Sequence, residues 1–265
     1  AIVLDNIKGN ITFNNFSFRY PNTKKDVLSN ISLEIKEGEI VGIVGRIGCG
    51  KTSLVNSLLR FYNVDENSIL FDGIDIMKCD VDSVRNQVAY VPQDNFLFSD
   101  TVSNNINFGD DKNEEEIIAA AKFADVHDNI VDFSEGYKTV TGERGVTLSG
   151  GQKQRISIAR AYIKDSPIMI LDDSVSAVDI KTEETILANI RKYREGKTTI
   201  VVSSRISTVN KLDKIIVLNE GKLEAYDTPS NLSKNCEIYQ KMVYLQELEN
   251  EVEGEKVIHL HHDGR

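Results

Sequence analysis

The chain has 265 residues, 40% of them hydrophobic, and a formal net charge of −10, so it can bury one substantial core. Its basic residues are dispersed, which excludes the broad positive footprint of a protein that grips a phosphate backbone, and no nucleic-acid partner is expected. Apolar runs stay short of the roughly eighteen residues that cross a bilayer, and the N-terminus lacks a charged start followed by an apolar secretion segment, so the chain is expected to be soluble by itself.

In chain order, the first seventy residues read as short strands: 11–18, then 31–35 with alternating Ile31, Leu33 and Ile35, then the continuous apolar run 40–44. Tyr20-Pro21-Asn22 makes the first turn, residues 69–71 end at the hairpin signal Asp72-Gly73, and residues 88–91 form a strand that stops at Pro92. These strands predict a mixed sheet. From Thr101 to about Lys164 the pattern turns helical, with Ile117, Ile118, Ala121 and Ala124 on one face, predicting a helical subdomain. Pro167 then introduces the apolar strand 168–171, which ends in Asp172-Asp173. A helix over 180–193, a strand over 198–202, a hairpin through Asn219-Glu220-Gly221 and a helix over 238–251 complete the order. One domain over 1–265 is expected, with the helical part near 101–165 and a C-terminal helix and tail from about 229. The chain opens on Ala1, which suits a piece of a longer polypeptide at least as well as a natural start, with a membrane part upstream.

The segment Gly45-Arg46-Ile47-Gly48-Cys49-Gly50-Lys51-Thr52, followed by Ser53, fits a phosphate loop and lies between a predicted buried strand and a predicted helix. Glycines let the backbone curl so that N–H groups point at an anion, and the helix start adds the positive end of its dipole. A polyphosphate is the natural guest. Lys51 can reach terminal phosphates as a point charge, and the Thr52 hydroxyl can ligate the Mg2+ that travels with a nucleoside triphosphate. Asp172 and Asp173 cap a strand at its C-terminal edge, where α/β sheets bind ligands. Cys49, Cys79 and Cys236 are odd in number and widely spaced, which predicts a reducing, cytosolic compartment. Cys49 has two readings, an acidified thiol beside a helix start or a small tolerated residue. His259, His261 and His262 have two as well, a metal cluster or a frayed tail.

Leu148-Ser149-Gly150-Gly151-Gln152, preceded by Gly142-Glu143-Arg144-Gly145 and followed by Lys153-Gln154-Arg155, resembles the signature loop of the ATP-binding cassette (ABC) superfamily in its exporter-type form. The resemblance extends over roughly 11–244. It implies an α/β fold with a P-loop NTPase core, a mixed β-sheet, an antiparallel β-subdomain and an inserted α-helical subdomain. It implies ATP and Mg2+ as cofactors and a place on the cytoplasmic face of a membrane. Tyr20 resembles the aromatic that stacks on adenine, beside the reading of an ordinary core tyrosine. Gln93 resembles the loop glutamine that reaches magnesium or the attacking water, with the segment 94–105 facing transmembrane domains. Asp172 takes the part of metal anchor opposite Thr52. Ser149, Gly150, Gly151 and Gln152 would close over the nucleotide of a second cassette, and Ser176-Ala177-Val178-Asp179 would line that dimer seam.

Two positions depart from the family. Asp173 stands where a glutamate base is usual, which draws the carboxylate back by about 1.5 Å, and misplacement of about 1 Å can cost about a hundredfold in rate. Ser204 stands where a histidine contacts the terminal phosphate, and serine is shorter and carries no charge. The combination resembles the degenerate-site half of heterodimeric bacterial multidrug exporters: ATP held firmly, hydrolysed slowly at the chain's own site, with the signature edge serving the partner. Two alternatives stay open, a binding-only regulatory cassette and a homodimer with two slow sites.

Overall fold

Among the described residues two sheets carry the strands. β1 (Ile11–Phe18), β2 (Leu28–Ile35), β4 (Ile69–Phe71) and β5 (Ile74–Asp75) form an antiparallel sheet in the order β2-β1-β4-β5. β3 (Ile40–Val44), β6 (Val88–Val91), β7 (Ile168–Asp172), β8 (Thr198–Val202), β9 (Lys214–Asn219) and β10 (Lys222–Asp227) form the second, in the order β10-β9-β3-β8-β7-β6. Neighbours from β9 to β6 run parallel and β10 is antiparallel at the edge, so this sheet is mixed. The computed structural model describes residues 1–143, 145–175 and 177–262, with side chains to residue 254. Arg144, Ser176 and the side chains of His259, His261 and His262 lie outside the described residues.

The apolar runs are continuous because the mixed sheet is covered on both faces. Val41 and Ile43 of β3, Ile168 and Ile170 of β7, and Ile200 and Val202 of β8 point into a core shared with the antiparallel sheet and with α1 (Lys51–Leu58). Ile40, Val44, Met169, Leu171 and Val201 point the other way, into a core shared with the helices. Gly42 lies on that second face, where a Cβ would come within 2.8 Å of Val209, so glycine there lets α8 (Ile206–Val209) pack against the sheet.

The two-residue hairpin turns follow local chemistry. Asp72-Gly73 (φ 48° and 77°) and Glu220-Gly221 (φ 47° and 78°) both place two consecutive residues in the left-handed region that short hairpins require. β2 begins three residues before the predicted strand. Asn15 and Asn30 adopt positive φ (43° and 50°), and the β1–β2 register shifts beside both, so alternation breaks where the sequence is read.

The remaining helices are α2 (Val81–Asn86), α3 (Val102–Asn107), α4 (Glu114–Phe123), α5 (His127–Val131), α6 (Gly150–Ile163), α7 (Ile180–Tyr193), α9 (Pro229–Asn235) and α10 (Glu237–His262). On α4 the buried residues are Ile117, Ala120, Ala121 and Phe123, with the following Ala124, so three of the four predicted positions are buried and Ile118 is half-buried at the margin. A reciprocal Asn113–Glu116 capping box starts α4. α6 packs on α3 and α4 on one side and on β6 and β7 on the other, joining the helical insert to the sheet through one core. α10 is longer than the 238–251 expected. Among the described residues no helix is long and apolar enough to cross a membrane. All three cysteines are buried and unbridged, Cys49 among them.

Candidate functional site

β3 delivers the chain into the loop Gly45–Gly50, and α1 leaves it. Gly50 caps that helix at φ 108°, and a Cβ there would lie 2.4 Å from Leu28, so the loop closes against β2 only with glycine at this point. Gly48 also has positive φ, and a Cβ on it would meet nothing within 4 Å, leaving the loop backbone open to approach from the cleft. Arg46, Ile47 and Gly48 are exposed and Cys49 is buried beneath them. The Lys51 ammonium folds back and donates to the Gly45 carbonyl. Thr52 is exposed at the helix start, and buried Ser53 shares a 2.6 Å hydroxyl hydrogen bond with Tyr20.

A cleft of about 570 Å3 gathers Tyr20, Ile47, Gly48, Gly50, Lys51, Thr52, Ser53, Gln93, Asp172, Asp173 and Ser204. The residues span positions 20 to 204, brought together because β3, β7 and β8 are neighbours that end on the same side. Tyr20 is half-buried at the edge of this cleft. Its ring packs edge-on against Phe18 and Tyr62, at 4.8 and 5.3 Å between centroids, while it lines this cleft and an adjoining one of about 710 Å3.

Asp172 ends β7 with 8% exposure, and Oδ2 accepts a 2.9 Å hydrogen bond from the Tyr90 hydroxyl. Burial raises its carboxyl above the ordinary aspartate value; the Tyr90 bond works against the rise, the charge of Asp173 adds to it and Lys51 opposes it. Asp173 sits at φ 51°, its N–H donating to the Val202 carbonyl at 2.8 Å, which fixes it to the end of β8. Its carboxyl is also raised by burial, with Lys51 and Arg205 pulling it down. Gln93, exposed after β6, donates from Nε2 to Asp173 Oδ2 at 3.3 Å. Ser204 is exposed at the rim. Thr52, Asp172 and Gln93 offer only hydroxyl, carboxylate and amide oxygens, a hard donor set that suits Mg2+ sharing its shell with phosphate and water.

Ser149, Gly150, Gly151 and Gln152 do not line this cleft. Ser149 caps the fourteen-residue α6: its hydroxyl oxygen accepts from Gln152 N–H at 3.1 Å, and Gln152 returns its carbonyl to the Ser149 N–H at 3.1 Å. Ser149 and Gly150 are exposed, and the Ser149 O–H remains able to donate. The segment 177–178 lies beside this start, with the Ala177 N–H donating to buried Gln154 and a Cβ on Gly151 falling 3.2 Å from the Ala177 carbonyl.

Three residues escape sequence reasoning. Tyr90 holds Asp172. Arg205 donates to the Val175 carbonyl at 2.7 Å and pairs with Glu183, whose side chain is 5% exposed. Gln246 of α10 accepts from the N–H groups of Ile206 and Ser207, just past Ser204. No spacing rule marks these partners, which lie 22 to 82 positions apart.

The ABC transporter family profile matches residues 28–176. YgaD of Bacillus subtilis, whose name is that of a multidrug export ATP-binding/permease protein, is 45% identical over 249 residues, covering 94% of this chain and 43% of its own. An ATP-dependent lipid A-core flippase of Syntrophus aciditrophicus is 44% identical over 258 residues, covering 97% of this chain and 42% of its own. The chain thus spans about two-fifths of the length of these curated relatives. The structure of a bacterial Atm1-family ABC exporter with ATP bound superposes with a TM-score of 0.86 at 39% identity, over 93% of this chain and 43% of that one. Fold, loop geometry and these likenesses agree: the chain belongs to the ABC transporter family, as an exporter-type nucleotide-binding domain.

Proposed function

We propose that this chain is a single ATP-binding domain that powers an exporter from the cytoplasmic face of a membrane by closing against a second cassette. The observation that carries this reading is the meeting of the phosphate loop with Gln93, Asp172, Asp173 and Ser204 in one cleft, while the Ser149 edge lies elsewhere. Tyr20 and residues Gly45 to Ser53 hold ATP, and Thr52 and Asp172, with Gln93, hold its Mg2+. When bound, the metal supplies charge stabilisation at the phosphates. Gln93 and Asp173 orient water. Ser149, Gly150, Gly151 and Gln152 close over a partner's nucleotide, because a helix start with exposed amides is an anion site its own cleft does not use.

Transmembrane domains are the proposed second partner. Phe96, Phe98 and Phe108, at 64%, 37% and 54% exposure, form an apolar patch just beyond Gln93, with the Arg160 guanidinium over the latter two rings at 5.6 and 5.4 Å, and such a patch suits a protein surface.

Hydrolysis at the chain's own site is proposed to be slow. Asp173 is one methylene shorter than glutamate and Ser204 carries no charge, and general-base help is worth about 10² to 10⁴ in rate. A cassette that grips and barely cuts fits the weak half of a heterodimeric exporter. Equilibrium binding of ATP with single-turnover phosphate release tests this: tight retention with slow release is expected, and brisk hydrolysis by the isolated chain, undiminished in D173A, overturns the slow-site reading.

A further inference from the structure

The Tyr90 contact with Asp172 follows from strand register. β6 and β7 pair in parallel with Tyr90 opposite Ile170. Ile170 and Asp172 share a face because strand side chains alternate, so a side chain as long as tyrosine reaches two residues forward to the strand end. There its hydroxyl meets Oδ2 at 2.9 Å. The ring packs, half-buried, against the core shared by the two sheets, and it also lines a groove of about 300 Å3 with Leu59, Phe61, Val88 and Pro92. Behind the carboxylate, the Ser174 hydroxyl donates to the Val91 carbonyl at 2.9 Å, tying the ends of β6 and β7.

We propose that Tyr90 is the positioning residue for the metal-anchoring carboxylate: by engaging Oδ2 it fixes the Asp172 rotamer and reserves Oδ1 for Mg2+. The assignment rests on the ATP-and-magnesium reading of the cleft. Partners that orient a ligating group typically contribute 10- to 100-fold to metal affinity, whereas a tyrosine that only fills space would contribute equally with and without metal.

The test is binding of trinitrophenyl-ATP to the full chain, first in EDTA and then across a magnesium titration, for the unaltered protein, Y90F, D172N and Y90F/D172N. Y90F keeps the ring and removes one hydroxyl. Binding in EDTA is expected to be unchanged in Y90F, while the free Mg2+ needed for half of the magnesium-dependent gain rises about tenfold or more. In the D172N background, Y90F is expected to add no further change, because the two act through one contact. An unchanged magnesium requirement in Y90F overturns the assignment, as does an equal loss in EDTA and magnesium, or a Y90F effect that persists in full beside D172N. If the unaltered chain binds no nucleotide in either condition, the ATP reading fails and the assignment with it; if it binds and Y90F matches it, the assignment alone fails.

Discussion

The amide of Gln93 donates to Asp173 Oδ2 across 3.3 Å, joining the loop after β6 to the end of β7. The two groups proposed to aim a water therefore already touch, with the carboxylate drawn back on its short arm. Asp173 also occupies left-handed backbone, which aspartate tolerates better than most residues, so lengthening its arm costs a little stability. The double variant D173E/S204H is expected to raise ATP turnover at least tenfold, with the exposed rim position of Ser204 accommodating histidine. Steady-state phosphate release measures it; turnover no higher than that of the unaltered chain would show that these positions do not limit the rate.

Lys51 is expected to matter for ligand and little for folding. Its ammonium bonds only the neighbouring loop carbonyl among the described hydrogen bonds, at a half-buried site. Lys51→Ala should weaken ATP binding about 10- to 100-fold, the worth of one or two charge-assisted contacts, and move the urea midpoint little. Calorimetric titration beside a denaturation curve separates the two; intact affinity would remove Lys51 from the site.

Arg205 and Glu183 form a pair that is strongly asymmetric in exposure, with side chains 29% and 5% exposed. Removing the cation strands a buried carboxylate, so Arg205→Met should cost about 3 kcal/mol, and Arg205→Met with Glu183→Gln should recover most of it. Equal urea midpoints for the single and double variants would contradict this.

Asp72 supplies a pH signature far from the cleft. Burial works to raise its carboxyl, but hydrogen bonds from the Lys8, Gly9 and Asn10 backbone and the Asn10 side chain outweigh it, and the group ends below the ordinary aspartate value. A depressed carboxylate stabilises above the unfolded-state value, about pH 4, and that contribution is lost as pH falls through the lower folded value. Asp72→Asn keeps a residue suited to φ 48° and removes the charge. It should be less stable by about 1 kcal/mol at neutral pH, after allowance for solvent screening, with the gap narrowing in acid. Chemical denaturation at pH 7 and near pH 3 checks it; a gap that widens in acid reverses the sign.

Much of this architecture is legible along the chain. Ile40–Val44 and Ile168–Asp172 read as buried strands because both faces of their sheet are covered, and the phosphate loop announces itself between a strand and a helix. Asp72-Gly73 reads as a turn because two positive φ angles have few residue solutions. What stays hidden depends on pairing across space. The start of β2 is masked by bulges at Asn15 and Asn30, and the grip of Tyr90 on Asp172 exists only once β6 and β7 lie in register. Glu183 falls on the same buried face of α7 as Ile186, Leu187 and Ile190, and only the folded chain shows that Arg205, just past the end of β8, supplies its counter-charge.

The carbonyl of Gln246 reaches the first amides of α8, so the C-terminal helix is tethered to the rim of the cleft at residues 206 and 207. A chain ending before that glutamine would leave those two donors to water and loosen the segment that carries Ser204. Where this chain is cut thus decides how firmly the rim of the cleft is held, long before any change is made inside the cleft itself.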